Sequence, residues 1–205
     1  MAPAYSRCPV GASTQGRVKA APSMDRYEPL RRRTIALVGL MGVGKSSVGR
    51  RLASALNLPF RDADVEVEAA AGRSIPEIFA AMGEPAFRDG ERRVIARLLE
   101  GPPHVLATGG GAFMNDETRG LIKERAVSVW LKADLDILAR RVGRKDSRPL
   151  IAGKDPMEVL KEQAAVRYPV YAQADVIVET GDAAHHVTVG QVIEALTIYL
   201  GEPSE

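Results

Sequence analysis

The sequence has little of what marks a secreted or membrane protein. Only one of its 205 residues is a cysteine, Cys8, so no disulfide can form within the chain. No apolar run approaches the roughly 18 to 20 residues that are needed to span a bilayer. The first ten residues, MAPAYSRCPV, also lack the apolar stretch of a secretory signal. These absences together predict a cytoplasmic protein that contacts no membrane.

A large excess of positive charge is also missing from most of the chain. Residues 1–33 carry seven Lys or Arg residues and two acidic ones, so their +5 leaves −3 for the rest of a chain whose net charge is +2. The rest is therefore not basic enough to indicate a nucleic-acid-binding protein. Residues 1–33 are rich in Ala, Ser, Pro and Gly and lack apolar periodicity, which predicts a disordered tail. Their bias also loosely resembles an organelle transit peptide, and a basic arm that contacts a partner is the alternative.

Strand and helix signals alternate along residues 34–201, which predicts one α/β domain with helices on both faces of a central, mainly parallel sheet. Loops after the strands should then meet at one edge of the sheet, the usual ligand edge of open α/β folds. Residues 143–155 are rich in glycine, proline and charge, which predicts a mobile loop. The predicted strands cover 34–38, a short stretch before Asp62, 104–108, 126–131 and 175–178, and the predicted helices cover 48–58, 65–71, 75–82, 87–100, 116–124, 134–142, 156–172 and 186–200.

One segment matches a nucleotide-binding motif at every position. Residues 39–46, GLMGVGKS, fit G-x-x-x-x-G-K-[ST] between an apolar strand and an amphipathic helix. Glycines let successive backbone N–H groups point at phosphate oxygens, and the following helix adds its positive N-terminal end. Lys45 brings a full charge to the β- and γ-phosphates, while the Ser46 hydroxyl can ligate Mg²⁺. The predicted nucleotide-binding residues of this loop are Gly42, Val43, Gly44, Lys45, Ser46 and Ser47.

The acidic residue that would help to hold a metal ion must lie elsewhere than in many P-loop ATPases. None of the predicted strands ends in the apolar run plus Asp that holds magnesium in many P-loop ATPases. Asp62, just after the short second strand, is the obvious candidate, and Asp64 points to the same side if this segment is extended. One acid could then serve the metal and the other the acceptor hydroxyl. Asp64 could instead be a helix N-cap, since a helical pattern begins at Val65, and the two roles can coexist.

Further segments complete a pattern that resembles the shikimate kinase family over roughly residues 34–200. The phosphate loop alone is shared by many proteins, but its conjunction with the other motifs in the same order and spacing is far more specific. The segments that carry the resemblance are 62–68 (DADVEVE), 72–79 (GRSIPEIF), 83–91 (GEPAFRDGE), 109–112 (GGGA), 148–150 (RPL) and Arg167-x-x-x-Tyr171.

This resemblance implies an enzyme that uses ATP and Mg²⁺ to phosphorylate the 3-hydroxyl of shikimate, giving 3-phosphoshikimate and ADP in aromatic amino-acid biosynthesis. It also implies a role for each matching residue. Asp62 matches the acid near the metal and the acceptor hydroxyl, Lys45 and Arg148 match phosphate-contacting cations, and Arg141 matches an arginine against the adenine ring. The positions that match the family's shikimate-binding residues are Asp64, Arg88, Gly110, Gly111 and Arg167.

Elementary chemistry agrees with these implied roles. Shikimate is an anionic triol, so Arg88 and Arg167 could offer planar forks to its carboxylate while Asp64 accepts hydrogen bonds from ring hydroxyls. Arg88 could instead be a solvated helix charge, and residues 109–111 a turn that merely ends a strand. Arg148 could be carried in by closure of its loop, or could be an exposed linker cation.

The remaining conspicuous residues suggest no chemistry. Trp130 lies inside a predicted strand and should belong to the core. His185 and His186 are adjacent, so on a helix they diverge and cannot form a paired metal site. Two other functions stay open: a gluconate or nucleoside-monophosphate kinase, and a nucleotide-gated switch, although the base-reading Asn-Lys-x-Asp of such switches is missing. We expect a monomer that binds shikimate and ATP.

Overall fold

A five-stranded parallel sheet forms the centre of the computed structural model, which describes residues 27–143, 155–182 and 184–201. The strand order is β2-β3-β1-β4-β5, and every neighbouring pair is parallel. Helices flank the sheet, so the predicted α/β fold is confirmed. The strands are β1 (Thr34–Val38), β2 (Phe60–Asp62), β3 (Val105–Ala107), β4 (Ala126–Ala133) and β5 (Val176–Thr180).

The helices connect the strands in the order that the sequence predicted. None of those in the described part of the chain is long and apolar enough to cross a membrane. They are α1 (Glu28–Arg31), α2 (Lys45–Leu56), α3 (Ala63–Ala71), α4 (Ile75–Leu99), α5 (Asp116–Arg125), α6 (Leu135–Val142), α7 (Pro156–Tyr171) and α8 (His185–Gly201), with one 3₁₀ turn at Ala112–Met114.

The inner strands are buried on both faces, as expected for parallel strands covered by helices. All five residues of β1 and all three of β3 are buried, which explains why both read as continuous apolar runs rather than alternating ones. Trp130 in β4 is 4% exposed, as predicted for a core residue. The core therefore fixes the carboxyl ends of β1 and β3, after which the phosphate loop and the three glycines of residues 109–111 follow.

Helix α4 consists of two helical segments that meet at a break, in agreement with the two helices predicted at 75–82 and 87–100. Its start is a capping box, in which the Ser74 hydroxyl accepts a hydrogen bond from the Glu77 N–H and the Glu77 carboxylate accepts one from the Ser74 N–H. The helical path is interrupted at Gly83, whose φ of 80° and ψ of 173° are not helical. Pro85 follows within the next turn, so the local sequence explains the break. The second half of α4 then carries Arg88 toward the sheet edge.

The last residues of the predicted tail, 1–33, pack onto the folded domain. Residues Glu28–Arg31 form one helical turn, and Leu30 is only 1% exposed within the main core. The Arg31 side chain donates to the Leu56 carbonyl at the end of α2, 3.0 Å away. Leu30 is the one buried residue of this turn, and a single buried residue gives no apolar periodicity in the sequence. The sequence therefore could not predict the turn. The rest of the predicted tail, residues 1–26, lies outside the described residues.

A second, smaller core supports one side of the ligand edge. Val67 of α3 packs with Ile78, Phe87 and Val94 of α4, separate from the main core. The rings of Phe79 and Phe87 lie 4.9 Å apart between centroids. This cluster holds α3 and α4 together, and it thereby positions the acids of α3 opposite the arginine of α4.

Candidate active site

One cleft of about 710 Å³ lies at the carboxyl ends of the strands and joins the phosphate loop to the predicted substrate residues. Its walls are formed by the phosphate loop, the end of β2, helices α2, α3, α4, α6, α7 and α8, and the turn after β3. The predicted site residues that line it are Gly42, Gly44, Lys45, Ser46, Ser47, Asp62, Asp64, Arg88, Gly110, Gly111, Arg141 and Arg167.

The phosphate loop has a backbone that only glycine adopts easily. Gly39 has a φ of +141°, and a Cβ there would lie 2.5 Å from the Leu131 carbonyl oxygen of β4. Gly44, with a φ of +96°, is the N-cap of α2, so the helix begins at Lys45. The Lys45 ammonium donates to the carbonyls of Gly39 at 2.8 Å and Leu40 at 3.2 Å, which hold it over the loop. These features form a cradle for phosphate oxygens.

Ser46 and Asp62 form the part of the cleft that suits a metal ion. The Ser46 hydroxyl donates to Asp62 Oδ2 at 2.6 Å, so two hard oxygen donors lie side by side. Magnesium keeps several waters and binds through one or two protein oxygens plus substrate phosphates, a requirement that this pair fits. No group of three His, Cys, Asp or Glu side chains that could hold a metal alone occurs within the described ranges.

Asp62, not Asp64, caps helix α3. Its Oδ1 accepts a hydrogen bond from the Asp64 N–H at 3.2 Å, and the helix begins at Ala63. The interpretation of Asp64 as an N-cap is therefore wrong, and the segment is not extended beyond Asp62. Asp64 instead lies in the first turn of α3, where its carboxylate reaches the cleft. The two acids still face the same space, because the helix turns the second one back toward the sheet edge.

Arg88 is held by two carboxylates of its own helix. Its Nη1 donates to Glu91 at 2.8 Å, and its Nη2 donates to Glu84 at 3.0 Å. The Arg88 side chain is 30% exposed, whereas those of Arg92 and Arg93 on the same helix are 35% and 71% exposed. Arg88 also lines the cleft, where its guanidinium lies against Gly111. Burial raises the pKa of Glu91 above its ordinary value, although the Arg88 guanidinium acts in the opposite direction.

The three glycines after β3 make room for three different side chains. A Cβ at Gly109 would overlap Glu91 Oε1, and a Cβ at Gly111 would lie 2.6 Å from Arg88 Nη1. A Cβ at Gly110 would lie 3.2 Å from Arg167 Nη1 and 3.7 Å from the Gly39 carbonyl oxygen. This turn, which we call the glycine turn, thus does more than end a strand. It separates the phosphate loop from the arginine side of the cleft by one layer of backbone.

Arg141 and a second recess extend the cleft on the side away from the glycine turn. Arg141 Nη2 donates to the Gly181 carbonyl at 2.9 Å, and Arg140 forms a 2.7 Å ion pair with Asp182. These contacts tie α6 to the loop between β5 and α8. The recess there has a volume of about 530 Å³ and shares Arg141 and His185 with the main cleft.

Val43 is the one predicted nucleotide-binding residue, among those that the structure describes, that does not line the cleft. The Val43 side chain is 2% exposed and belongs to the main core. Arg148 lies outside the described residues, as does most of the predicted mobile loop, residues 144–154.

Sequence reasoning missed Glu91 and His185, which both line the cleft. The spacing of three between Arg88 and Glu91 is a helical ion-pair signal that was available. His185 was interpreted as incidental, yet its Cε1 lies 3.6 Å from where a Cβ on Gly44 would stand. Partial burial, together with the nearby Arg51 and Arg141 guanidinium groups, lowers the pKa of His185. Only the fold brings that helix end to the phosphate loop.

The fold and the cleft define a P-loop kinase that acts on a small molecule. The family model for shikimate kinase matches residues 41–197. A shikimate kinase of Caulobacter vibrioides is 73% identical over 172 residues, which cover 84% of this chain and 86% of that protein. One of Bradyrhizobium diazoefficiens is 54% identical over 183 residues, covering 89% and 88%.

A solved structure agrees with these sequence relatives. The shikimate kinase from Acinetobacter baumannii in complex with shikimate is 34% identical, has a TM-score of 0.79, and covers 84% of this chain and 96% of its own. The chain belongs to the shikimate kinase family.

Proposed function

We propose that the protein transfers the γ-phosphoryl group of ATP to the 3-hydroxyl of shikimate, giving 3-phosphoshikimate and ADP for aromatic amino-acid biosynthesis. One observation carries this proposal. A single cleft contains the phosphate loop on one side of the glycine turn and two arginines, Arg88 and Arg167, on the other side. Transfer between two bound molecules requires their reacting atoms to lie about 3 to 3.5 Å apart, which a shared cleft allows.

The shikimate half of the cleft is formed by α3, α4, α7 and the glycine turn. Arg88 and Arg167 bind the ring carboxylate, since each presents a planar fork of N–H donors. Asp64 accepts hydrogen bonds from ring hydroxyls. Backbone N–H groups of Gly110 and Gly111 complete the contact, because the absence of side chains there lets the ring approach closely. The complex of the Acinetobacter baumannii relative with shikimate supports this ligand.

The ATP half lies along the phosphate loop and the start of α2. The loop amides and Lys45 stabilise the β- and γ-phosphates, and negative charge that spreads over the migrating group is stabilised by the same donors. The base and ribose extend past Arg141 toward the loop near Thr180–Asp182, where the second recess begins. Arg148, which matches a phosphate-contacting cation of the family, would add a further positive charge beside the transferred group.

Ser46 and Asp62 are the residues that would hold Mg²⁺, Ser46 directly and Asp62 through water. The ion would offset phosphate charge when bound. Asp62 has a second role, because its carboxylate also faces the acceptor side of the cleft. There it orients the attacking hydroxyl or accepts its proton. A loose transition state requires little base strength from this carboxylate.

The test is a coupled assay of ADP release with shikimate, gluconate and nucleoside monophosphates as separate acceptors. We expect turnover with shikimate alone, and the 3-phosphate as the product identified by NMR. Asp62→Asn should lower kcat strongly, whereas Asp134→Asn, outside the cleft, should not. Turnover with gluconate or a nucleotide at equal efficiency would refute the substrate assignment. ATP binding without acceptor-dependent turnover would instead support a nucleotide-gated switch.

The wider setting of the enzyme follows from the sequence. We place the kinase domain at residues 34–201, with the helical turn Glu28–Arg31 packed against it and a lid loop at about 143–155. We expect a cytoplasmic monomer that binds neither nucleic acid nor membrane. Light scattering during size-exclusion chromatography would test the monomer, since a dimer would elute at about twice the 22.1 kDa chain mass.

A further inference from the structure

The carbonyl of Gly110 accepts hydrogen bonds from two side chains of the same helix. Arg167 Nη1 donates to it at 3.2 Å, and the Tyr171 hydroxyl donates to it through a short hydrogen bond. The two donors are four residues apart on α7, so they lie on one face, one turn from each other. Tyr171 is fully buried, at 0% exposure, and its ring lies against those of Phe113 and Trp130.

This shared acceptor links Tyr171 to the substrate site. A carbonyl oxygen has two lone pairs, and here one receives the hydroxyl and the other the guanidinium. If the Tyr171 hydroxyl were missing, the described contacts would leave the Gly110 carbonyl with one side-chain donor, the Arg167 guanidinium. The guanidinium would then be drawn toward that carbonyl. The same guanidinium is needed for the shikimate carboxylate. The hydroxyl therefore holds the carbonyl to which Arg167 also donates, and in this way it anchors both the turn and the guanidinium.

We infer that Tyr171 is a positioning residue for shikimate: its hydroxyl fixes the Gly110 carbonyl, so that the glycine turn and the Arg167 guanidinium both face the substrate. This inference rests on the proposed function, because it takes Gly110 and Arg167 as shikimate contacts. Tyr171 does not touch the cleft itself, so it acts through these two neighbours. Burial raises the pKa of Tyr171, which keeps its hydroxyl protonated and able to donate at neutral pH.

Helix α7 supplies a matched control. Tyr168 also packs on Trp130, with ring centroids 5.1 Å apart, and its hydroxyl lies 3.5 Å from the Ala133 carbonyl at the end of β4. That carbonyl belongs to neither the glycine turn nor the cleft. Loss of either hydroxyl removes one tyrosine–carbonyl contact from the same aromatic cluster, but only one of the two contacts leads to the substrate site.

The experiment compares Tyr171→Phe with Tyr168→Phe in the full-length enzyme. Steady-state assays would give kcat and KM for shikimate and for ATP, and quenching of Trp130, the only tryptophan, would give shikimate affinity directly. We expect Tyr171→Phe to weaken shikimate binding and raise its KM by about 5- to 10-fold, the loss of one net hydrogen bond. The KM for ATP should change less than about twofold, and Tyr168→Phe should leave both KM values near wild type.

A double-mutant cycle with Arg167→Lys sharpens the result, because the effect of Tyr171→Phe should shrink once the guanidinium is gone. An unchanged shikimate KM in Tyr171→Phe would overturn the inference, and so would an equal rise for ATP or in Tyr168→Phe. A Tyr171→Phe chain that failed to fold would overturn it too, since the hydroxyl would then serve the fold. If the wild type did not turn over shikimate at all, the proposed function would fail instead, so the two failures are distinguishable.

Discussion

Replacement of Gly111 by alanine would separate shikimate binding from ATP binding. Gly111 has a φ of −99° and a ψ of −12°, which alanine adopts without strain. A new Cβ would nevertheless lie 2.6 to 2.8 Å from three atoms of the Arg88 guanidinium. Those atoms are the end of a flexible side chain, so the guanidinium would move by about 0.8 Å to reach the 3.4 Å of ordinary contact. The backbone of the turn would stay in place.

The size of the effect follows from what Arg88 would lose. Its fork would no longer align with the ring carboxylate, and a hydrogen bond to a charged group is worth about 1.5 to 3 kcal/mol. At 1.36 kcal/mol for each factor of ten, the shikimate KM should rise roughly 10- to 150-fold. The KM for ATP should stay within about twofold, because the displaced side chain leaves Lys45 and the phosphate loop untouched.

Gly90→Ala is the control, since a Cβ at that position on α4 meets nothing within 4 Å. It should leave both KM values unchanged and should raise the melting temperature slightly, because alanine favours helix by about 0.8 to 1.0 kcal/mol over glycine. Coupled ADP-release assays and thermal melts would give all of these values. A Gly111→Ala enzyme with a normal shikimate KM, or with ATP and shikimate equally weakened, would refute the reasoning.

Three further predictions use other parts of the molecule. Arg88→Ala should raise the shikimate KM by about 10-fold or more and spare ATP, and an unchanged value would remove Arg88 from the site. Deletion of residues 1–26 should leave turnover and melting temperature near normal. Deletion of residues 1–33 also removes the buried Leu30, so it should lower the free energy of unfolding by on the order of 2 to 5 kcal/mol. Equal melting temperatures for the two deletions would contradict this. Burial lowers the pKa of His104 below 6.5 in the folded protein. As the pH drops below 6.5, the imidazole of the unfolded chain is therefore protonated more readily than that of the folded protein, and the free energy of unfolding should fall. Urea unfolding of wild type and His104→Asn at pH 7.5 and 5.5 would measure this, and an identical decline in both would exclude His104 as the cause.

Contiguous motifs made the ATP half of the cleft predictable. The phosphate loop needs its glycines, lysine and serine within eight consecutive positions, and an apolar strand and an amphipathic helix flank it. The glycine turn was visible for the same reason. Its physical cause was not, because the side chains that fill the space beside Gly109 and Gly111 come from α4, about twenty residues earlier in the sequence.

Features set by a single contact were predicted less well. The cap of α3 depended on which of two nearby acids accepted one backbone N–H, and only the structure assigns it to Asp62. Helix α1 packs on the core through one leucine, Leu30. A single apolar residue shows no helical periodicity, so the sequence did not predict this helix. The approach of His185 to Gly44 joins segments about 140 residues apart. In each case the local sequence fits more than one conformation, and tertiary contacts select among them.

The charges of the cleft differ between its two halves. Under the proposed function, this difference would direct each of the two anionic ligands to its own half. On the ATP side the Lys45 ammonium contacts backbone carbonyls, and α2 directs its N-terminal amides at the same point, a setting that attracts a polyphosphate. On the shikimate side Arg88 already contacts Glu84 and Glu91, so its charge is partly offset. A polyphosphate is favoured less there, while a singly charged carboxylate can still use the planar fork. Under the proposed function, we therefore expect selectivity between the two ligands to depend on the acidic partners of Arg88 as much as on the arginine itself.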